Sequence, residues 1–332
     1  MKRCIAVLLA LLLVACLLTG CGQTGSGQAG SREKISVVCT IFPQYDWVRQ
    51  ILGDQTDTIE VTLLLDDAID LHNYQPTVDD MIKIADCDLF IYVGGESDRW
   101  VDDALSEATN KNLVALNLLE ILGDNAREEE IVEGMETEVE GPIGVADSEV
   151  AGEVEYDEHI WLSLRNAEVF CTAITDALAS LDPSNAGIYR SNLVDYYAQL
   201  FFLDGEYAGT IKTAPVKTLL FGDRFPFRYL ADDYGINYYA AFAGCSAETE
   251  ASFETVIFLA KKVDELNLKY IMVTESTDQS IANTIRDNTT TKDQQILVLD
   301  SMQTIAAADI TQGTTYLSIM ASNLDVLKVA LG

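Results

Sequence analysis

The chain has 332 residues, of which 53 are acidic and 21 are basic, and its formal net charge at pH 7 is −32. Such an acidic surface repels nucleic acid and attracts cations, so the composition excludes the nucleic-acid-binding classes of protein. Histidine is scarce and occurs only at His72 and His159. The neutral imidazoles that commonly bind transition metals are therefore confined to two positions.

The N-terminus has the pattern of a secretory signal. A basic start precedes an apolar run over residues 4–18 and a Thr-Gly-Cys sequence that ends at Cys21; this run is too short and wrongly flanked to be a membrane span. The small residues before Cys21 resemble the cleavage motif of bacterial lipoproteins. The motif implies a signal peptide over residues 1–20 and a lipid on Cys21 that anchors the chain to the outer face of the cell membrane. An ordinary signal peptide with an incidental cysteine is the alternative.

Residues 21–32 are rich in Gly, Ser and Gln and are expected to form a flexible tether. The predicted N-terminal lobe, residues 33–181, then alternates between strand-like and helix-like patterns. The predicted elements are strands over residues 35–42, 59–65 and 88–93 and helices over residues 45–52, 78–85, 100–108 and 163–181. This alternation is typical of a parallel sheet with helices on its faces.

Residues 123–158 interrupt the alternation. From Asp124 to Glu158 the segment contains fourteen acidic residues and a single basic one, Arg127. A segment this charged resists burial, which predicts a mobile acidic loop. Two roles remain open for it. It is either a solvated insert without a ligand or a collector of cations, since carboxylates bind calcium, magnesium and manganese.

Residues 182–212 carry an apolar stripe at helical spacing and predict one helix roughly 40 Å long, which we interpret as a connector between two lobes. The predicted C-terminal lobe, residues 213–332, has strands over residues 216–221, 237–243, 270–274 and 295–299 and helices over residues 227–234, 252–267, 279–288 and 314–329. The predicted fold class is therefore α/β, with two lobes that each contain a parallel sheet and flanking helices, joined by one long connecting helix. Ligands of such folds commonly bind in the cleft between the lobes.

Four cysteines lie beyond the signal segment, at Cys39, Cys87, Cys171 and Cys245. They are widely spaced, form no Cys-x-x-Cys pair and have apolar neighbours, so we expect buried free thiols rather than a zinc cluster. One or two disulfides are the alternative in an exported protein.

Each histidine lies in a short polar and aromatic sequence. His72 follows the predicted strand over residues 59–65, in Asp-Leu-His-Asn-Tyr-Gln-Pro-Thr, and loops at the carboxyl ends of parallel strands commonly carry binding residues. His159 ends the acidic segment, in Tyr-Asp-Glu-His-Ile-Trp-Leu. Imidazole is a common ligand of zinc and other first-row ions, and adjacent carboxylates can orient it. Both histidines are therefore candidate metal ligands, although a single histidine is more often structural or exposed.

These sequences resemble the metal-binding lipoproteins of bacterial ABC importers for zinc and manganese. The resemblance covers nearly the whole mature chain. It depends on Thr-Ile-Phe-Pro-Gln-Tyr-Asp from Thr40, His-x-Tyr-x-Pro-Thr from His72, Asp-Leu-Phe-Ile-Tyr-Val-Gly-Gly from Asp88, Asp-x-His-Ile-Trp-Leu from Asp157, Asp-Pro-x-Asn-Ala from Asp182, and Leu-Asp ending at Asp300. The family resemblance implies two lobes joined by one long helix, with a four-ligand metal site between them.

The resemblance further implies that His72 and His159 are the first-lobe ligands and that Asp300 is a second-lobe ligand. The remaining ligand is open. A gapless match puts Arg224 at the family's ligand position, and a guanidinium group cannot bind a cation. Asp223, one residue earlier, is the chemically competent substitute. Arg224 could instead pair with a ligating carboxylate.

Glu248 and Glu250 are possible alternative metal ligands, because their loop also follows a predicted strand. Each could equally be an exposed or helix-capping acid, and Glu275 at another strand end is expected to be structural. Two nitrogens with two carboxylates favour manganese or iron, whereas zinc binds a given site more tightly. The ligand set therefore leaves zinc, manganese and iron open.

The leading hypothesis is an extracytoplasmic solute-binding protein of an ABC importer. It would capture a divalent transition metal, zinc or manganese, in the interlobe cleft and deliver it to a membrane permease subunit, as a monomer and without catalysis. One alternative is a surface adhesin-type lipoprotein with a structural metal, because relatives of this family have been called adhesins. A metallohydrolase is less favoured, since the chain contains neither His-Glu-x-x-His nor Gly-x-Ser-x-Gly.

Overall fold

The computed structural model describes residues 34–55, 57–67, 69–136, 155–246 and 250–332. The predicted signal peptide, Cys21 and the tether lie outside these residues, as does Glu248. No helix in the described part of the chain is long and apolar enough to cross a membrane.

The first lobe is built around a four-stranded parallel sheet. Its strands are β1 (Ile35–Cys39), β2 (Ile59–Leu63), β3 (Leu89–Tyr92) and β4 (Val114–Asn117), in the order β2-β1-β3-β4. The helices of this lobe are α1 (Phe42–Leu52), α2 (Val78–Asp86), α3 (Trp100–Ser106), α4 (Leu118–Leu122) and α5 (Leu164–Leu181). All four residues of β3 are buried, as expected for a strand of a parallel sheet covered on both faces. The sequence patterns miss β4 and α4, because two elements this short carry too few residues to show a period.

One long helix, α6 (Ala186–Thr213), joins the lobes. The second lobe repeats the design of the first with strands β5 (Thr218–Phe225), β6 (Asn237–Ala243), β7 (Tyr270–Val273) and β8 (Gln295–Val298), in the order β6-β5-β7-β8. Its helices are α7 (Arg228–Tyr234), α8 (Phe253–Leu266), α9 (Ser280–Asp287), α10 (Ala307–Thr311) and α11 (Tyr316–Leu331). All strand pairs within both sheets are parallel.

The helix α6 is stabilised by packing rather than by a side-chain N-cap, which it lacks. Its buried residues recur at helical spacing and are Tyr189, Tyr196, Leu200, Leu203, Tyr207 and Ile211. They belong to one hydrophobic core that also contains residues from both sheets. The Tyr207 hydroxyl donates a hydrogen bond of 2.6 Å to the carbonyl of Met320 in α11. The two lobes therefore share a continuous core, and a smaller apolar cluster fills the far side of the second sheet.

The described ends of the acidic segment are folded, in contrast to the mobile loop expected over residues 123–158. The amide of Glu136 donates to the carbonyl of Ala241 in β6 at 2.9 Å, and Arg228 pairs with Glu130 at 2.8 Å. Glu158 is only 1% exposed. A backbone hydrogen bond and an ion pair with the second lobe thus order the part of the segment before residue 137. Residues 137–154 lie outside the described part of the chain.

In each sheet, the next two strands along the chain lie on opposite sides of the lobe's first strand. In the first sheet β1 lies between β2 and β3, and in the second β5 lies between β6 and β7. Ligands of open α/β sheets bind in the crevice at the carboxyl ends of such strands. His72 lies in the loop after β2, and Cys245 lies two residues beyond the end of β6. Both loops therefore leave the carboxyl ends of parallel strands.

Candidate metal centre

The loop that carries His72 is held by local hydrogen bonds. Residues Leu71–Asn73 form a single 3-10 turn, and the Asp70 carboxylate caps it by accepting a 3.0 Å hydrogen bond from the His72 amide. Leu71 is buried. The hydroxyl of Thr77 then caps α2. A short loop fixed at both ends gives the His72 side chain a defined position.

His159 is fully buried and is oriented by Asp157. One carboxylate oxygen, Oδ1 of Asp157, accepts hydrogen bonds from the His159 amide at 2.8 Å and from its ring Nδ1 at 3.0 Å. The imidazole packs against Trp161, with ring centroids 5.3 Å apart. Because Nδ1 donates to a carboxylate, the hydrogen bonds assign the free lone pair to Nε2.

The two imidazoles face each other through their Nε2 atoms, which are 3.1 Å apart. The Nδ1 of His72 lies 2.8 Å from the Ser97 hydroxyl and 3.5 Å from Oε2 of Glu158. With Nδ1 beside these two groups, Nε2 is the nitrogen of His72 that faces His159 and can bind an ion. Two nitrogens bound to one tetrahedral zinc ion, each at about 2.0–2.1 Å, are about 3.3 Å apart. The observed separation therefore suits two ligands of one ion.

His72 stays neutral over a wide pH range. Burial, together with the neighbouring His159, lowers the pKa of His72 to about 3. Neutral imidazole is the form that binds a metal, because the proton and the ion compete for the same lone pair. The metal-free protein thus keeps a ligand lone pair available at physiological pH.

A third donor, Cys245, lies beside the two histidines. A ring nitrogen of each histidine and the Sγ of Cys245 lie within 4.8 Å of one another. The position of Cys245 is set by Glu129, whose Oε1 accepts a 2.9 Å hydrogen bond from the Cys245 amide. The apolar neighbours of Cys245 predict only a buried free thiol, whereas its place two residues beyond the end of β6 is the signal that identifies it as a candidate ligand. The four described cysteines are free, and Cys245 is the least buried of them.

Gly244 allows the second lobe to approach His159 closely. A Cβ atom at this position would lie 2.9 Å from the carbonyl oxygen of Phe225 and 3.1 Å from both Cε1 and Nδ1 of His159. The first contact is with backbone, and the second is with a ring that is fully buried. A side chain at Gly244 would therefore displace a candidate ligand.

We expect Gly244→Ala to lower the affinity for zinc at least tenfold, the lower range for losing a group that orients a metal ligand. Titration of the metal-free protein with zinc measures this change. Gly209→Ala is the matched control, because Gly209 is a helical residue whose added Cβ would meet no atom within 4 Å. The control should keep the wild-type affinity and gain about 0.5–1 kcal/mol of stability. Equal affinities for both variants would contradict the close approach.

Asp223 is not part of the histidine cluster. It lies within β5 rather than in a loop after it, because the strand continues to Phe225 beyond an irregularity in its pairing with β6. Its Oδ2 accepts hydrogen bonds from the amide and the hydroxyl of Thr274, which follows β7. The carboxylate is therefore occupied in joining two strands of the second sheet.

Arg224 reaches across to the loop of His72. Its guanidinium Nη2 lies 2.7 Å from Oδ2 of Asp70, and both side chains are largely buried. Asp70 also caps the turn of His72, so Arg224 links the second lobe to a candidate ligand through one carboxylate. Arg224 thus holds the loop of His72 in place and offers no lone pair to a cation.

Asp300 lies just beyond β8, but it is not part of the group formed by the histidines and Cys245. Its Oδ1 accepts a 2.8 Å hydrogen bond from the amide of Met302, and burial together with Glu275 raises its pKa to about 6. Asp300 and Glu275 line a cavity of about 510 Å³ whose lining includes neither histidine. Glu275 itself accepts hydrogen bonds from the amides of Ser301 and Gln303, a structural role as expected from its place at a strand end.

The remaining second-lobe contact to the histidines comes from Gln303. Its side-chain amide lies 2.8 Å from Nε2 of His159 and donates to it. A metal ion at Nε2 would replace this hydrogen bond.

Of the two alternative ligands, Glu250 lies within the described residues and is exposed. No hydrogen bond or metal group within the described residues links Glu250 to this cluster.

A buried carboxylate next to the site makes the stability of the fold depend on pH. Oδ2 of Asp98 accepts hydrogen bonds from the amides of Val93 and Gly94, both 2.9 Å, whereas Oδ1 has no partner among the described residues. Burial, with a further contribution from Glu158, raises the pKa of Asp98 to about 7. The folded chain therefore binds a proton that the unfolded chain releases, and the free energy of unfolding falls as the pH rises from about 4 to about 7.

We expect Asp98→Asn to remove this loss, because an amide keeps one acceptor for the two backbone donors and carries no charge. Relative to wild type, the variant should gain a few kcal/mol of stability between pH 5 and pH 8. Urea unfolding of the metal-free proteins at both pH values measures the difference. A stability difference between the two proteins that is the same at pH 5 and pH 8 would show that Asp98 does not titrate as described.

Comparison with known proteins places the chain among characterised relatives. A family model described as the periplasmic zinc-uptake complex component A, ZnuA, matches residues 37–330. The high-affinity zinc uptake system protein ZnuA of Bacillus subtilis strain 168 is 30% identical over 299 residues, which are 90% of this chain and 88% of that protein. The zinc-binding lipoprotein AdcA of Streptococcus pneumoniae is 29% identical over 295 residues, 89% of this chain and 55% of AdcA. The chain thus spans about half the length of AdcA.

Solved structures show the same architecture. The crystal structure of the Zn(II)-bound ZnuA-like domain of AdcA from Streptococcus pneumoniae matches with a TM-score of 0.68 at 26% identity, over 90% of this chain and 99% of that domain. The predicted fold class of two α/β lobes joined by a long helix is confirmed.

Proposed function

This chain belongs to the zinc-uptake complex component A family, and we propose that it captures a zinc ion between its lobes and delivers it to an ABC permease in the membrane. The observation that carries the proposal is the pair of Nε2 atoms of His72 and His159, which face each other 3.1 Å apart. Asp157 holds the ring proton of His159 on Nδ1, so an ion can replace the hydrogen bond that Nε2 of His159 now accepts from Gln303. Ser97 contacts the opposite nitrogen of His72. No catalytic step is part of the proposed function.

Zinc is the proposed cargo in preference to manganese. Manganese favours carboxylate and carbonyl oxygens, whereas imidazole suits zinc. The carboxylate of Asp223 accepts hydrogen bonds from Thr274, and Asp300 lies outside the group formed by the histidines and Cys245. Relatives named for zinc binding or zinc uptake support the same choice.

The proposal places the protein outside the cytoplasm, as a monomer tethered by a lipid on Cys21. The support is the signal pattern before Cys21 and the similarity to a relative named as a lipoprotein. Mass spectrometry of the protein from its native host should find an acylated N-terminal Cys21. A mature N-terminus at another residue, or an unmodified cysteine, would contradict the tether.

The decisive experiment for the cargo combines binding with uptake. Calorimetric titration of the metal-free full-length protein should show one zinc ion bound per chain, with weaker binding of manganese. Cells that lack the protein should take up radiolabelled zinc more slowly at low zinc concentrations and recover when the wild-type chain is restored. Absence of zinc binding, or unchanged uptake, would refute the proposal.

Removing the metal distinguishes a transport protein from an adhesin with a structural metal, and the coordination of the bound ion distinguishes both from a metallohydrolase. A transported ion must leave a folded protein, so the metal-free form should keep its circular dichroism spectrum and bind zinc again. A structural ion would instead stabilise the fold, and its removal would unfold the chain. A hydrolase needs an open coordination position for water, which spectroscopy of the loaded protein can test.

A further inference from the structure

The second-lobe ligand that the family position should supply is missing at Arg224. Its guanidinium carries no lone pair for a cation, and it is held 2.7 Å from Asp70 on the first lobe. Asp223, the substitute one residue earlier, accepts hydrogen bonds from Thr274, and Asp300 lies outside the group formed by the histidines and Cys245. The second lobe therefore has to present another donor if it is to close the site.

Cys245 is the donor that the fold brings to this place. Its Sγ lies within 4.8 Å of a nitrogen of each histidine, and this trio is the one such group of His, Cys, Asp or Glu within the described residues. Cys245 is also held in place, since Glu129 binds its amide and the neighbouring Gly244 packs directly against the ring of His159. The thiol is not simply a small apolar residue in the core, unlike Cys39 and Cys171, which are fully buried.

We propose that Cys245 is the second-lobe zinc ligand, so that two imidazole nitrogens and one thiolate sulfur bind the cargo and the site selects zinc over manganese. The proposal rests on the proposed function, since it names the donor set of the same site. On binding, the S–H bond of Cys245 breaks, a sulfur–zinc bond forms, and the proton passes to solvent. No oxidant or other reactant is required.

The geometry allows this coordination with a small movement. In a tetrahedral site with zinc–nitrogen bonds of about 2.0–2.1 Å and a zinc–sulfur bond of about 2.3 Å, sulfur and nitrogen are about 3.6 Å apart. Each distance between the sulfur of Cys245 and a ligand nitrogen is at most 4.8 Å. Compared with the roughly 3.6 Å of a bound site, the sulfur therefore needs to move by at most about 1 Å. An ion bound to Nε2 of His159 would replace the hydrogen bond that this nitrogen now accepts from Gln303.

The donor set also determines which ions are favoured. A thiolate is a soft ligand that suits zinc and disfavours manganese, which prefers hard oxygen ligands. A set of two nitrogens and two carboxylates, by contrast, would favour manganese or iron. Cys245 therefore explains how a site that lacks the usual family ligand can still be selective.

Cobalt(II) is the probe for the test, because a thiolate bound to cobalt gives an intense charge-transfer absorption in the near ultraviolet. The purified full-length wild-type protein with one equivalent of cobalt should show this band, and Cys245→Ser should lose it. Cys87→Ala is the matched control, because Cys87 is a buried thiol whose Sγ donates to the carbonyl of Ile84, away from the histidines. The control should keep the band. A wild-type spectrum without the band, or a band that persists in Cys245→Ser, would overturn the proposal.

Zinc and manganese affinities provide an independent readout. Cys245→Ser should bind zinc at least tenfold more weakly, and Cys245→Asp, which supplies a carboxylate instead, should recover binding with a smaller preference for zinc over manganese. Affinities of Cys245→Ser within twofold of wild type would reject Cys245 as a ligand while leaving zinc capture by the histidines intact. Failure of the wild-type protein to bind zinc would instead reject the proposed function itself.

Discussion

Replacing His72 by alanine is expected to reduce zinc affinity by more than about 100-fold, the upper range for losing a group that merely orients a ligand. The reason is that His72 supplies one of only two imidazoles in the chain, and its Nε2 directly faces that of His159. The change removes one of the two facing imidazole nitrogens. Competition between the protein and a chelator of known zinc affinity measures the loss.

The matched control for this variant is Asn73→Ala. Asn73 belongs to the same 3-10 turn, but its side chain is exposed and makes no hydrogen bond within the described structure. The control should keep the wild-type zinc affinity, which separates loss of the ligand from disturbance of the loop. If His72→Ala bound zinc as tightly as Asn73→Ala, the ion would have to lie elsewhere.

Replacing Trp161 by alanine is expected to lower the free energy of unfolding by about 3–5 kcal/mol. The indole is 1% exposed and packs against His159. Its Nε1 donates a 2.8 Å hydrogen bond to the carbonyl of Ser301 in the second lobe, and the Tyr316 hydroxyl donates to the carbonyl of Trp161 itself. The truncation leaves both a cavity and an unpaired buried carbonyl between the lobes. Urea unfolding of the metal-free protein measures the loss.

The variant Trp161→Phe separates the cost of the cavity from the cost of the unpaired carbonyl. It keeps most of the apolar volume and removes the indole donor, so it should cost about 1–3 kcal/mol, the range for an unsatisfied buried partner. Val194→Ala serves as a surface control, because Val194 is 66% exposed on α6 and should change stability by less than about 0.5 kcal/mol. A loss below about 1 kcal/mol for Trp161→Ala would show that this contact does not join the lobes.

The two ligand histidines could be proposed from the sequence because their surroundings are local. The carboxylates that hold them, Asp70 and Asp157, each lie two residues before the histidine they hold. Local hydrogen bonding of this kind is encoded in a few consecutive residues. What remained hidden was that the two rings, 87 positions apart, would face each other at 3.1 Å.

The second-lobe residues could not be assigned in the same way. The predicted strand ends at residue 221, which leaves Asp223 in a loop, yet β5 continues to Phe225 through an irregularity in its pairing. Since neighbouring side chains of a strand point to opposite faces, such an irregularity decides which residues face the cleft. Asp223 consequently points towards Thr274, and Arg224 towards Asp70.

The acidic segment shows the same limitation. Its composition predicts a mobile loop, because composition does not reveal partners that lie far along the chain. In the fold, Glu129 contacts the amide of Cys245 and Glu130 contacts Arg228, at separations of about a hundred residues. Charged residues become ordered where the opposite lobe supplies backbone donors and cations.

The two-lobed α/β architecture, the long connecting helix, the family and the two candidate histidines follow from the sequence, because each depends on local periodicity or on a short motif. The folded chain was needed to show that Cys245 lies beside the histidines, that Arg224 pairs with Asp70, and that Asp223 accepts hydrogen bonds from Thr274. These contacts join residues that are far apart along the chain. The second-lobe donors meet the first lobe only after both sheets have folded, so strand register and close packing at Gly244 select which side chain reaches the cleft.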